Sequence, residues 1–228
     1  MGIELSPIWI SLKTAFTSTV VTFIAGIAAA WLIAGWRGRL KGLVDGILTL
    51  PLVLPPTVVG FFLLVLFGKN GPIGKLLLPV GIKVIFSWPS TVIAASVVAF
   101  PLMYKTARGA FEQIDPNILN AARTLGVSEW KVFYSIAVPL AWPGVAAGTV
   151  LAFARALGEF GATLMVAGNI PGKTQTIPVA IFFASQGGET EKALAWVLLI
   201  FVISLTVMVL MNQWTEYQRK LMTKSGRN

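Results

Sequence analysis

Long apolar runs separated by short polar segments make up most of this chain. Five of these runs are long enough to cross a membrane as helices, because about 20 apolar residues span the bilayer core. The predicted spans are residues 7–34, 45–67, 89–110, 142–160 and 193–211. A sixth apolar run, residues 177–184, is too short to cross and predicts a re-entrant or interfacial helix. The pattern therefore predicts an all-α polytopic membrane protein, with one transmembrane domain over residues 1–228.

A signal peptide is the alternative interpretation of the first run. Three consecutive alanines, Ala28 to Ala30, could mimic a cleavage site. The basic residues, however, follow this run instead of preceding it, which is the wrong order for a signal peptide. We therefore favour a first membrane span.

Three prolines interrupt the first half of the second predicted span: Pro51, Pro55 and Pro56. A proline inside a helix removes a hydrogen-bond donor and clashes with the preceding turn, so this helix must break or kink. Backbone groups freed in this way are tolerated in a membrane only when they are buried in protein or line a cavity. Two interpretations remain open, a packed kink and a pore-lining role.

The fourth predicted span combines small residues with two charges. Arg155 and Glu159 are four residues apart, so they lie on the same side of the helix and can pair. Ionisable residues inside a span usually face the bundle interior or water. Two interpretations of Arg155 and Glu159 remain open. They are either a structural or interfacial ion pair, or they take a direct part in a gate or in the substrate path. Small residues at steps of three or four also predict a second helix lying close by, namely Gly144, Ala147, Gly148, Ala152 and Ala156.

Residues 115–144 form a mixed polar segment between the third and fourth predicted spans. Asp115 and Pro116 are typical of an N-cap and a first helical residue. Gly126 ends that helix, and Ser128 can cap a second one directly after it. Two such amphipathic helices need cover for their apolar faces, either from their own bundle or from a soluble partner. These faces comprise Ile118, Leu119, Ala122 and Leu125 in the first helix and Trp130, Phe133, Tyr134 and Ala137 in the second.

Composition narrows the possible functions. The 228 residues are 56% hydrophobic and 12% charged, with a mean hydropathy of +0.79, which excludes a water-soluble domain. The sequence contains no cysteine and no histidine. This excludes disulfides, thiol nucleophiles, thiolate metal sites and imidazole bases. The chain is therefore poorly equipped for catalysis of its own, and we expect no metal site on it.

Charge indicates the orientation of the spans. The formal net charge of +9 would suggest nucleic acid in a soluble protein, but here the basic residues cluster at span ends. Arg37, Arg39 and Lys41 place the first loop in the cytoplasm by the positive-inside rule. We therefore predict the N-terminus outside, the C-terminus in the cytoplasm and no nucleic acid partner. The outer loop at residues 68–88 has three lysines and no acidic residue, and is either simply solvated or weakly attractive to an anion or acidic partner.

The polar segment resembles the EAA motif of bacterial ABC-importer permeases. That motif is usually written Glu-Ala-Ala, then Gly, then Ile-x-Leu-Pro, and lies in a cytoplasmic loop. Asn120 stands here in place of the Glu, and Val138 in place of the Leu. A salt bridge that depends on that Glu is therefore not expected. The matching residues are Ala121, Ala122, Gly126, Ile136 and Pro139.

Three further segments resemble the permease subunit of molybdate ABC transporters. They are LPLVLPPTVVG at residues 50–60, TVLAFARALGEFGAT at residues 149–163 and NIPGKTQTIPVAI at residues 169–181. The related sulfate/thiosulfate and tungstate permeases share the ALGEFGA-type segment. The compact length and the third segment are most similar to the molybdate subunit.

This resemblance implies a type I ABC importer transmembrane domain, MetI-like, in the cytoplasmic (inner) membrane of a prokaryote. It implies a transport subunit, not an enzyme, that moves molybdate or tungstate by alternating access. The implied partners are a second copy of the chain, a dimer of cytoplasmic ATP-binding subunits, an extracytoplasmic oxyanion-binding protein and membrane lipid. ATP and Mg belong to the ATPase subunits, and no cofactor is implied for this chain. The alternative function is a sulfate/thiosulfate importer permease. A passive anion channel is a second alternative that the resemblance favours less.

The resemblance also assigns residues to roles. In the family, two short helices form a coupling element that docks in a groove on the ATPase, which corresponds here to a coupling segment at residues 115–139. Its expected contact residues are Asn120, Ala121, Ala122, Gly126, Val127, Ser128, Glu129, Trp130, Ile136 and Pro139. We expect the translocation path or gate at Pro55, Pro56, Thr57, Arg155, Glu159 and Thr163. Hydroxyl and backbone donors would contact an oxyanion without trapping it as a deep cationic well would.

Overall fold

The computed structural model describes residues 4–36 and 38–225, and every regular element in them is a helix. Arg37, assigned above to the first cytoplasmic loop, lies outside the described residues. The first elements are α1 (Ser6–Gly35), α2 (Lys41–Val53), α3 (Pro56–Phe67), α4 (Pro72–Leu77), a 3₁₀ turn (Leu78–Val80), α5 (Trp88–Glu112) and α6 (Pro116–Thr124). They are followed by α7 (Glu129–Val132), a π-helical turn (Phe133–Ala137), α8 (Val138–Leu157), α9 (Gly161–Ala167), α10 (Ile177–Gln186) and α11 (Thr190–Ser225).

Five helical segments of the described chain are long and apolar enough to cross a membrane. They are Ser6–Gly35, Pro56–Val80, Trp88–Glu112, Glu129–Leu157 and Thr190–Trp214. The second of these consists of α3 together with α4 and the 3₁₀ turn, and its last part overlaps the predicted outer loop. The expected architecture of five spans is therefore confirmed. The short apolar helix α10 is also present, and its 10 residues cannot cross a bilayer.

The second predicted span is divided between two helices. Pro51 lies within α2, and the helical path stops at Leu54 and Pro55, whose ψ angles of 140° and 137° are extended. A residue before proline is pushed out of the helical region, which accounts for Leu54. Pro56 then starts α3 at a position where its missing N–H has no helical partner to lose. The break predicted from the prolines is confirmed.

The fourth span begins earlier than the sequence predicted. The helix runs without a break from Glu129 to Leu157, so the expected second amphipathic helix is its first part and not a separate element. Pro139 has no N–H, so the residue after Val138 cannot donate the backbone hydrogen bond that an ordinary α-helix would make there. The backbone adapts with the π-helical turn, in which the Val138 N–H donates to Phe133 O. The sequence had predicted a separate short helix here, followed by a span that begins at residue 142.

The predicted outer loop at residues 68–88 is also partly helical, since it contains α4 and the 3₁₀ turn. Its end is fixed to the bundle, because the Phe86 N–H donates to Val166 O at 2.9 Å. The loop is therefore more ordered than a merely solvated connection.

Helix α5 lies at the centre of the bundle, between α1 and α8. Small residues let these neighbours approach: a Cβ on Gly26 of α1 would lie 2.7 Å from Met103 Cγ, and one on Gly144 of α8 would lie 2.5 Å from Ala110 Cβ. Met103 and Tyr104 are fully buried between them. The close helix contact predicted from the small residues of the fourth span is confirmed.

Candidate functional site

The coupling segment begins with a capped helix. Asp115 Oδ1 accepts a hydrogen bond from the Asn117 N–H at 2.9 Å, and Pro116 occupies the first helical position. The cap satisfies one of the N–H groups that every helix start leaves free. The predicted start of α6 is therefore confirmed.

Gly126 ends α6 in a Schellman motif. The Gly126 N–H donates to Arg123 O at 3.0 Å and the Val127 N–H donates to Ala122 O at 3.2 Å, which are the two hydrogen bonds of that motif. Gly126 has a φ of +76°, and a Cβ there would meet no atom within 4 Å. The left-handed backbone, and not crowding, is what requires glycine. The predicted helix end is confirmed.

Side-chain hydrogen bonds also join the two sides of this turn, but they do not involve Ser128 as predicted. Ser128 has extended backbone before α7, but its side chain makes no capping hydrogen bond, so the predicted cap is wrong. Arg123 instead donates from Nε to Glu129 Oε1 at 2.6 Å and from Nη2 to Oε2 at 3.1 Å. Hydrogen bonding to Glu129 raises the pKa of Arg123 above its ordinary value. This bidentate pair joins α6 to the start of α7.

Asn120, at the position of the family's Glu, contacts the same arginine. Asn120 Oδ1 accepts a hydrogen bond from Arg123 Nη1 at 3.2 Å. The carboxylate that faces Arg123 is therefore supplied by Glu129, six residues further along the chain. Sequence reasoning missed this pair, because six residues across a tight turn match neither of the helical spacings that bring charges together.

The bundle covers only one side of the coupling segment. Ala122 is buried, and Phe133 packs against the central core. Leu125, Trp130 and Tyr134 are 83%, 74% and 64% exposed. The two aromatic rings stack on each other with centroids 6.0 Å apart. Among the other predicted contact residues, Asn120, Ala121, Ser128, Glu129 and Pro139 are exposed, and Val127 and Ile136 are half-buried.

A charged network ties α2 to α5, and sequence analysis did not foresee it. Asp45 Oδ1 accepts hydrogen bonds from Tyr104 OH at 2.9 Å and from Arg108. Glu112 Oε1 accepts from Arg108 Nε at 2.9 Å and from Lys41 Nζ at 3.2 Å. Because α2 has no buried residue of its own, these hydrogen bonds are important for holding it on the bundle.

Two interrupted helices lie against each other, and we call this place the helix-break junction. It consists of residues 54–57, where α2 gives way to α3, and residues 158–161, where α8 gives way to α9. A Cβ on Gly161 would lie 3.1 Å from Pro56 Cβ and 3.3 Å from the Thr57 N. The start of α3 therefore packs directly on the start of α9.

Arg155 and Glu159 lie beside this junction and form the predicted pair. Arg155 Nη1 is 2.7 Å from Glu159 Oε2, and Glu159 Oε1 accepts a hydrogen bond from the Ala162 N–H at 2.8 Å. The Glu159 side chain is 1% exposed, whereas that of Arg155 is 28% exposed. The carboxylate is thus held by a hydrogen bond at Oε1 and by the ion pair at Oε2, while the arginine side chain stays partly exposed.

The remaining predicted path residues differ in their exposure. Pro55 and Thr57 are exposed and Pro56 is half-buried, whereas Thr163 is buried within α9. The junction brings Pro56 and Thr57 to Gly161, two residues beyond Glu159.

In the described part of the chain, no three His, Cys, Asp or Glu side chains are grouped so that they could hold a metal ion. The chemistry available here is ion pairing and hydrogen bonding.

Five membrane-length helices, a projecting capped helix and a charge pair at a helix break are features of a membrane transport protein. The family described as the binding-protein-dependent transport system inner membrane component matches residues 22–221. This match covers most of the 228 residues, so the chain belongs to that family and is a multi-pass transport permease.

Relatives of this chain are named for molybdenum transport. It is 49% identical to YvgM of Bacillus subtilis (strain 168), which is assigned by name as a molybdenum transport system permease protein; the match covers 91% of this chain and 92% of YvgM. It is 44% identical to the molybdenum transport system permease protein ModB of Haemophilus influenzae, over 96% of each chain. The sulfate transport system permease protein CysT of Escherichia coli (strain K12) is 32% identical, over 89% of this chain and 73% of CysT.

Solved structures share the fold. A chain of a bacterial ABC transporter involved in the import of the acidic polysaccharide alginate superposes with a TM-score of 0.78 at 17% identity, covering 93% of this chain and 79% of that one. A chain of the MetNI methionine ABC transporter, in an inward-facing conformation, superposes with a TM-score of 0.71 at 15% identity, covering 93% of this chain and 94% of that one. The expected type I ABC importer transmembrane fold is confirmed.

Proposed function

We propose that this chain is the permease subunit of an ATP-driven importer that moves molybdate, or the related tungstate, across the inner membrane. The observation that carries the proposal is its identity of 49% and 44% to two proteins named for molybdenum transport, each over more than 90% of this chain. The sulfate permease relative is more distant, at 32%. This difference supports molybdate over sulfate.

The coupling segment is proposed to dock on a dimer of cytoplasmic ATP-binding subunits. The support is geometric, because α6 is capped at both ends while Leu125, Trp130 and Tyr134 present uncovered apolar surface beside it. Tryptophan and tyrosine side chains such as these two are typical anchors in protein interfaces. ATP and Mg would be bound by the ATPase subunits, and this chain would need no cofactor.

Transport would follow from movement of the coupling segments. ATP binding closes the ATPase dimer and draws the two coupling segments together, which rocks the spans between inward-facing and outward-facing states. The path would run between two copies of the chain and past the helix-break junction. The oxyanion-binding protein would deliver its cargo at the outer face, with the N-terminus on that side and the C-terminus in the cytoplasm.

Donors at the junction suit a tetrahedral dianion. Thr57 is exposed at the start of α3 and offers a hydroxyl group and a backbone N–H. Thr163 is buried in the single chain, so its contribution would require a rearrangement that exposes it. Weak neutral donors favour release as well as binding.

Reconstituted transport tests the proposal. Two copies of the chain, the cognate ATPase subunits and the binding protein are placed in proteoliposomes, and uptake of radiolabelled molybdate is followed. We expect uptake that requires both ATP and the binding protein and that is inhibited by tungstate more strongly than by sulfate. Uptake without ATP would instead indicate a passive channel, and a preference for sulfate would support the alternative substrate.

A further inference from the structure

We infer that Arg155 is an anion contact of the transport path and that Glu159 is its built-in counter-ion, which keeps this contact weak enough for the oxyanion to leave. The inference rests on the proposed function, because it names the residues that would meet a tetrahedral dianion at the helix-break junction. It assigns opposite effects to the two members of one ion pair.

The exposure of the pair shows which of its groups is available. The Glu159 side chain is 1% exposed, with Oε1 hydrogen-bonded and Oε2 in contact with Arg155 through the ion pair alone, whereas the Arg155 side chain is 28% exposed. A charged group on a membrane helix is costly against acyl chains, so its open side normally faces water or protein. A free arginine near a helix end can also reach outward to the interface. Arg155 is not free to do so, because its Nη1 is held 2.7 Å from the buried Glu159 Oε2.

Two helix interruptions meet beside the pair, and this favours a place along the transport path over a packed helix face. Arg155 stands in the last turn of α8, directly before the interruption at residues 158–160. Across the contact at Gly161 lies the second interruption, with exposed Thr57 at the start of α3. Interrupted helices inside a membrane occur where they are buried in protein or line a water-filled cavity. An exposed threonine and a partly exposed arginine side chain at one such place favour the cavity.

The position of Glu159 is fixed independently of the arginine. Its Oε1 accepts the Ala162 N–H at 2.8 Å, so the carboxylate stays in place when an anion approaches. A guanidinium has five N–H donors, so Arg155 can hold Glu159 and an oxyanion at the same time. The pair is neutral as a whole, and a dianion therefore meets oriented donors without an uncompensated positive charge. A bare cation would bind the dianion more tightly and release it more slowly.

A purely structural pair is the competing explanation. It would hold α8 to α9, and neutralising either member would then weaken the protein in a similar way. An anion contact with its own counter-ion predicts opposite changes in anion affinity. The sign of the change therefore separates the two explanations.

Three substitutions carry the test in the assembled permease–ATPase complex. Glu159→Gln keeps an oxygen that can accept the Ala162 N–H and removes only the charge. Arg155→Gln removes the cation, and Arg155→Lys keeps it. Glu189→Gln is the matched control, because Glu189 pairs with Lys192 at 2.9 Å on the exposed start of α11. Molybdate binding to each detergent-solubilised complex is measured by equilibrium dialysis, and uptake is measured in proteoliposomes.

We expect Glu159→Gln to lower the Kd for molybdate at least about tenfold and to slow uptake, because the Arg155 charge is no longer compensated. Arg155→Gln should raise the Kd at least about tenfold and also slow uptake. Arg155→Lys should retain uptake that Arg155→Gln loses, and the control should match the wild-type complex.

Changes in Kd of the same sign for Glu159→Gln and Arg155→Gln, or no change in either assembled complex, would overturn the inference. Failure of the wild-type complex to take up molybdate is a different result, because it refutes the proposed substrate. In that case, the Kd values of the same variants are measured with sulfate. Opposite changes in Kd for Glu159→Gln and Arg155→Gln would again support the inference, and changes of the same sign would overturn it.

Discussion

Arg123 holds the coupling segment together at the level of single side chains. It faces Glu129 across the tight turn and Asn120 within α6, so it fixes the start of α7 against α6. The two alanines of the motif then have different surroundings. Ala121 is exposed beside Asn120, whereas Ala122 is 8% exposed and closes the turn through its carbonyl oxygen. Only Ala121 is free to approach a partner directly.

We predict that Ala121→Glu prevents ATPase docking and leaves the permease folded. The new carboxylate would lie at the docking surface and keep the partner from approaching. In the free permease it would stay exposed to water, so it should not destabilise the fold. Co-purification of the ATPase should fall at least about tenfold, as for loss of a central interface contact. The permease should keep its yield in the membrane and its apparent Tm.

Ala122→Glu is the contrasting variant, because it forces a charge into a buried site and should lower the apparent Tm of the permease itself. Ala121→Ser is the conservative control and should retain docking. Normal ATP-dependent uptake in the Ala121→Glu complex would refute the assignment of α6 to the ATPase.

At the scale of elements, α3 and α9 meet with almost no free space. A Cβ on Gly60 would lie 2.8 Å from both Ala162 Cα and Met165 Cβ. The first of these atoms belongs to the backbone, so it cannot rotate away as a side chain can. The close contact therefore fixes the distance between the two interrupted helices.

We predict that Gly60→Ala destabilises the permease, by about 1–3 kcal/mol, because the added methyl group forces α3 away from α9. The matched control is Gly46→Ala in α2, where a Cβ would meet no atom within 4 Å. The apparent Tm of each variant in detergent provides the comparison. Equal Tm values for Gly60→Ala and the control would show that the α3–α9 contact is looser than described.

Local signals were sufficient to predict α6 from the sequence. Its N-cap at Asp115 and its left-handed glycine at Gly126 act through hydrogen bonds between near neighbours. The continuity of the next helix could not be predicted in this way. Pro139 normally ends or kinks a helix, and only the packing of the whole bundle shows that a π-helical turn accommodates it.

The same distinction applies to the charged pairs. Arg155 and Glu159 were predicted to pair because four residues on one helix bring side chains together. Asp45 and Arg108 are 63 residues apart, and only the packing of α2 on α5 brings them into contact. No pattern in a single sequence encodes such a distant contact.

For the whole molecule, the arrangement of the spans decides which surface each partner can reach. The coupling segment and the α4 region lie in the connections that follow the third span and α3, so they are predicted to face opposite sides of the membrane. The predicted orientation places the coupling segment in the cytoplasm. The absence of cysteine from the sequence makes this orientation directly testable.

We predict that Lys75→Cys, in exposed α4, reacts with a membrane-impermeant maleimide on intact cells, because this connection is predicted to lie outside. Lys131→Cys, exposed in α7, should react only after the inner membrane is permeabilised. The cysteine-free parent chain gives the background. Labelling in the reverse order would invert the topology and place the coupling segment out of reach of any ATPase.

In the proposed transport cycle, the unbroken helix from Glu129 to Leu157 would act as a lever. Its 29 residues measure about 43 Å at about 1.5 Å per residue. Exposed Trp130 lies at one end, and the pair of Arg155 and Glu159 lies at the other. A tilt of about 10° would displace one end by about 7 Å relative to the other, which is more than the ~3 Å between hydrogen-bonded atoms. If the proposed roles of its two ends hold, a modest rotation at the coupling end would therefore be enough to make or break the proposed anion contact at the far end, with no change in the helix itself.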